Sequence, residues 1–120
     1  MDTANEEDAT MTTSLQDIKN RLNRNDTGLT PEAREELLGL VDRLSHELES
    51  LAQTNSELAQ SISGFAGIST YEATRPNGNE ETLDYALKGF ASSVDAAEAS
   101  HPKLVAIVNR ICNMLSDIGI

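Results

Sequence analysis

The sequence has no tryptophan, a single cysteine, three prolines and only four aromatic residues, two Phe and two Tyr. One cysteine excludes an internal disulfide, so no covalent staple can stand in for a core, and a reducing compartment fits. So few rings argue against a wide globular core. Leu, Ile, Val and Phe together make 27 of the 120 residues, just above the roughly 20% below which chains tend to stay disordered. Composition therefore predicts a narrow core, shared along helices or between subunits. Cations are also scarce: nine Lys and Arg stand against twenty Asp and Glu, for a net charge of −11. Without a basic stripe to neutralise phosphates, nucleic acid is excluded as a partner, and an anionic membrane surface would repel the chain. No apolar run approaches the ~20 residues of a membrane span. The N-terminus carries acids where a signal peptide needs positive charge, so the cytoplasm is the expected location.

What is present is helical periodicity. Residues 1–12 (MDTANEEDATMT) are acidic and aperiodic and read as a disordered, solubilising tail. From residue 13 to 120 the chain reads as a single helical domain. Leu15, Ile18 and Leu22 mark a short amphipathic helix over about 13–24, closed by the turn formers Asn23 to Gly28. Thr30-Pro31-Glu32 opens a second helix, with Thr30 placed to cap free N–H groups and Pro31 at a position that needs none. From Leu37 the apolar positions run Val41, Leu44, Leu48, Leu51, Asn55, Leu58, Ile62 and Phe65 in alternating steps of four and three. That is a heptad seam with one Asn in it, and it predicts a continuous helix over 31–65.

Residues 66–79 contain Gly67, Pro76 and Gly78 and read as a loop. A second seam then runs Leu83, Leu87, Phe90, Val94, Ala97, His101, Leu104, Val108, Ile111, Leu115, Ile118. Because its phase is kept across Pro102, the pattern predicts one helix over 80–118, kinked at the proline, in preference to a break. The two long helices would measure about 52 and 58 Å at 1.5 Å per residue. Matched in length and joined by a loop, they predict an all-α fold: a long, coiled-coil-like antiparallel hairpin. Folding about the loop centre would bring Leu58 near Leu87, Leu51 near Val94 and Val41 near Leu104. The seams widen at the open end, where the short first helix would pack and form a three-helix head on a two-helix stalk.

Two stretches of this pattern, LTPEAREELLGLVDRLSHELESL (29–51) and EASHPKLVAIVNRICNMLSDIGI (98–120), resemble the small bacterial domain-of-unknown-function 4404 family. In that family a Glu-x-x-His-Pro turn precedes an apolar helix ending in Gly-Ile. Glu98, His101, Pro102, Leu104, Ile111, Leu115, Gly119 and Ile120 match it. The resemblance covers about half the chain, and residues from about 52 to 89 have no counterpart. It implies a helical fold and a bacterial source and carries no activity.

Chemistry-bearing residues are few. His46 has Asp42 and Glu49 on neighbouring turns, which is too small a set for zinc and reads as a solvated helix face. His101 has no nucleophile or carboxylate pair to work with and reads as structural. Cys112 flanks the seam and reads as a small buried hydrophobe. No catalytic, metal-binding or cofactor-binding residue is expected, and no cofactor. A two-helix stalk scarcely offsets its ordering entropy, so self-association is expected. The sequence predicts a non-enzymatic interaction or scaffold protein, a homodimer with a candidate interface of Leu51, Asn55, Leu58, Leu87, Phe90 and Val94. Asn55 would be either a register-setting polar position near Phe90 or a solvated residue. The rival reading is a regulatory adaptor, antitoxin-like or chaperone-like, whose seam a different protein covers.

Overall fold

The computed structural model describes residues 14–118, and every regular element among them is helical. The acidic stretch 1–12 lies outside the described residues, as do Gly119 and Ile120. Helix α1 (14–22) buries Leu15, Ile18 and Leu22, the three positions that its spacing singles out. Its last carbonyls have no partner within the helix. Arg34 supplies one from the next helix, donating from Nε to the Leu22 carbonyl at 3.0 Å and from Nη2 to that of Arg24 at 3.3 Å. Gly28, with φ at 77°, turns the chain through a left-handed conformation that a Cβ would resist.

Helix α2 (Pro31–Ala52) starts as its sequence predicts, with the Thr30 hydroxyl accepting from the Ala33 N–H at 3.1 Å and Pro31 at the first position. It does not continue to residue 65. The chain leaves the helix at Gln53-Thr54-Asn55 and begins α3 (Ser56–Thr74), where the Asn55 side chain accepts from the Leu58 N–H at 3.1 Å. The seam Asn is thus an N-cap. Short polar side chains offer the backbone a local alternative to the helix, and Thr54-Asn55-Ser56 concentrates three of them.

Helix α3 also runs through most of the stretch expected to be a loop. Ser63, Thr70 and Thr74 stay buried by returning their hydroxyls to carbonyls of their own helix, at Gln60, Ala66 and Thr70. Only 75–79 forms the connection, and Asn79 caps α4 (Glu80–Ser93) by accepting from the Thr82 N–H.

The second long helix divides as well. After α4 comes a single 3-10 turn at Asp95–Ala97, and α5 (Pro102–Ile118) starts at the proline itself. The kink expected at Pro102 is replaced by a helix start. At the first helical position the missing N–H costs nothing, and the ring no longer crowds a carbonyl one turn back. Phase survives because the 3-10 turn advances by three residues from Val94 to Ala97, then four more reach His101.

The expected hairpin is therefore folded in half. Helix α2 packs on α3 and α5, α4 packs on the same two, and α3 touches α5 across the bundle. Antiparallel pairing of α2 and α5 is fixed by Arg110–Glu36 at 2.6 Å and, at the other end, by Ser50 facing His101. That of α3 and α4 is fixed by the Ser69 hydroxyl donating to the Ala86 carbonyl at 3.2 Å and by the Phe65 ring lying against Gly89. Helix α1 lies outside this up-down-up-down set, against α2 through Lys19–Asp42 at 2.6 Å and against α3 through Arg21. The described residues extend 39 × 28 × 24 Å, too short for helices of 52–58 Å laid straight.

Candidate functional site

The residues proposed from the sequence as an interface are used inside one chain. Leu51 is 3% exposed, and Phe90 and Val94 are fully buried in the common core. Leu58 and Leu87 are half-buried against it, and Asn55 is exposed and committed to its cap. Folding the hairpin on itself gives each seam the neighbour that a second subunit was expected to provide.

The three histidine and cysteine positions are similarly absorbed. His46 is exposed, and Asp42 pairs with Lys19. His101 sits between two hydroxyls, with Ser100 Oγ 2.9 Å from Nδ1 and Ser50 Oγ 3.5 Å from Nε2. Burial pushes the Cys112 thiol up to about 11, and its Sγ lies 3.8 Å from the Leu87 carbonyl. At neutral pH such a thiol is protonated and a poor nucleophile. Among the described residues, no three His, Cys, Asp or Glu are grouped as a metal site would group them.

The surface feature that sequence reasoning missed lies between α1 and α3. An open cleft of about 420 Å³ is lined by Ile18 and Arg21 from α1 and by Gly64, Gly67, Ile68 and Tyr71 from α3. Ile68 and Tyr71 are 55% and 52% exposed, and they are two of the three large apolar side chains most open to solvent among the described residues. A Cβ placed on Gly64 or Gly67 would meet nothing within 4 Å, so neither glycine is needed for packing within the chain. Each weakens its helix by about 0.5–1 kcal/mol relative to Ala. The effect is an open floor beside exposed Ile68 and Tyr71 of α3, faced from α1 by Ser14, Asp17 and Arg21.

Arg21 closes one end of this cleft. Its Nε donates to Thr74 Oγ1 at 2.9 Å, and its guanidinium carbon stands 5.1 Å from the centre of the Tyr71 ring. Its Nη2 is buried and has no hydrogen-bond partner among the described residues. The cation–π contact and the Thr74 bond hold Arg21 against Tyr71 at the edge of the cleft. The signal for this helix was in the sequence as Ala59, Ile62, Ala66, Ser69 and Ala73, which alternate in steps of three and four. Small and hydroxyl-bearing residues at those positions hid an apolar face.

Compared with known proteins, the chain matches no family model, no curated protein and no solved structure.

Proposed function

We propose that this chain is a non-enzymatic helical interaction protein that associates with itself, with no cofactor and no nucleic-acid or membrane partner. The observation that supports it best is the α1–α3 cleft, where exposed Ile68 and Tyr71 flank a floor kept open by Gly64 and Gly67. Small residues on a helix let another backbone approach closely, and exposed apolar side chains beside them supply the area that association buries.

One observation favours a second reading, an adaptor covered by a different protein. A net charge of −11 makes two copies repel, and a basic partner would not.

Sedimentation velocity on the purified chain and on Ile68→Glu separates the two. Self-association requires a wild-type dimer that strengthens with added salt and is lost in Ile68→Glu, with helicity unchanged. A monomer at every concentration and salt would contradict it and leave the adaptor reading.

A further inference from the structure

Glycine falls inside helices at Gly39 of α2, Gly64 and Gly67 of α3, and Gly89 of α4. Packing within the chain explains Gly89, where a Cβ would strike the Phe65 ring. A Cβ on Gly39, Gly64 or Gly67 would meet nothing within 4 Å. Glycine weakens a helix interior, and what it offers instead is close approach of another backbone. Gly64 and Gly67 floor the α1–α3 cleft. Gly39 opens onto a different face.

That face is a groove between α2 and α5. Its apolar floor is Leu40 of α2 with Ala106 and Ile107 of α5, and Gly39 lies beside them. It runs on past Arg43 to His46 and Lys103, where it opens to about 590 Å³. Groove and cleft differ in shape. Ile68 and Tyr71 stand out from α3 beside the cleft, both more than half exposed. In the groove the larger apolar side chains are recessed, Leu40 buried and Ile107 half-buried, while small Gly39 and Ala106 are exposed.

Charge fits the two faces to each other. The chain carries −11 overall, yet Arg43, Lys103 and Arg110 line the groove against Glu35, Glu36 and Glu47. Its remaining acid, Asp42, is matched by Lys19. In the cleft Asp17 balances Arg21. Joined, the two faces bring no net charge to the contact. Their order along the helices also agrees. With α1 of one copy antiparallel to α2 of another, Asp17 falls opposite Arg43 and Arg21 points towards Glu35 and Glu36. Neither Asp17 nor Arg43 has an ion pair among the described residues.

We propose that copies of this chain join cleft to groove: Ile68 and Tyr71 of one copy seat in the α2–α5 groove of the next, whose α2 enters the α1–α3 cleft of the first. This rests on the self-association reading above and names the surface that the cleft meets. Ile68 packs on Ala106 and Ile107, the helices approach closely where Gly39 crosses Gly64 and Gly67, and Asp17 faces Arg43. The contact joins two different surfaces, so a dimer keeps one cleft and one groove free. Association therefore starts with a dimer and adds copies as concentration rises.

The test is sedimentation velocity on Ile68→Glu, on Ala106→Glu and on their equimolar mixture. Both positions are exposed, and circular dichroism checks that helicity is unchanged. Each variant alone should associate at least about 10-fold more weakly than wild type, as for residues central to an interface. Mixed, the first supplies an intact groove and the second an intact cleft, so a 1:1 dimer of wild-type strength should return and grow no further. Each variant adds one carboxylate, so recovery on mixing cannot come from a change of charge. Gly39→Glu takes the place of Ala106→Glu if that variant does not fold. A groove variant that associates as wild type does overturns the groove and leaves the cleft reading standing. No recovery on mixing overturns the pairing of cleft with groove. A wild type that stays monomeric overturns both.

Discussion

Ser50 and His101, fifty-one residues apart, face each other with Ser50 Oγ 3.5 Å from His101 Nε2. The pair marks the level at which both halves of the chain turn back. Just past Ser50 helix α2 ends, and at Pro102 the last helix begins. A bundle of five short helices results, not a stalk, and each apolar stripe is covered from within the chain.

Asn55 tests that arrangement most locally. Its side chain satisfies the Leu58 N–H, so Asn55→Leu should lower stability by about 1 kcal/mol, while Asn55→Asp should be nearly neutral. Thermal melts of the monomer read this directly. A buried seam position predicts the opposite sign, with Leu raising the melting temperature.

Two glycines should respond in opposite directions. Gly64→Ala places its methyl in open space and removes a flexible helix position, so it should stabilise by about 0.5–1 kcal/mol. A Cβ on Gly89 would fall 2.6 Å from the ring of Phe65. Gly89→Ala should therefore destabilise by about 1–3 kcal/mol, as overpacking does. Urea titrations of both variants check the sign. Stabilisation by Gly89→Ala would mean that α3 and α4 are not seated as described.

Cys112 gives a pH test. Its thiol is pushed up to about 11 from an ordinary value of 9.0 because burial disfavours the thiolate. A folded value raised above the unfolded one contributes stability that is fully present below pH 9 and is lost as pH climbs towards 11. Cys112→Ala should flatten that alkaline slope. At pH 8, labelling by a disulfide reagent should run about 100-fold slower in the folded chain than in urea. Equal rates would place the thiol in water.

The sequence made some of this legible and hid the rest for identifiable reasons. The cap at Thr30-Pro31, the short first helix and the all-helical character all follow from local residue chemistry, and each is present. The breaks were hidden by the phase of the seams: Leu51-x-x-x-Asn55-x-x-Leu58 reads as unbroken heptads although Asn55 is also a strong helix starter. At Pro102 the kept phase favoured a kink, while the 3-10 turn before it preserves that phase through a true break. The continuation of α3 past Gly67 was missed because Ser69, Thr70 and Thr74 bury hydroxyls that are satisfied by carbonyls, which no hydrophobic pattern registers. The α1–α3 cleft went with it, since Ile68 and Tyr71 fell in a stretch read as loop.

Small-angle scattering from dilute wild type tests the central claim, that the seams fold back on themselves at Asn55 and Pro102. The expected monomer has a compact helical body, with a Cα radius of gyration near 13.7 Å and a longest extent near 39 Å over the described residues. A monomer whose helical body extends to about 60 Å, the length of an unbroken hairpin at 1.5 Å per residue, would contradict it.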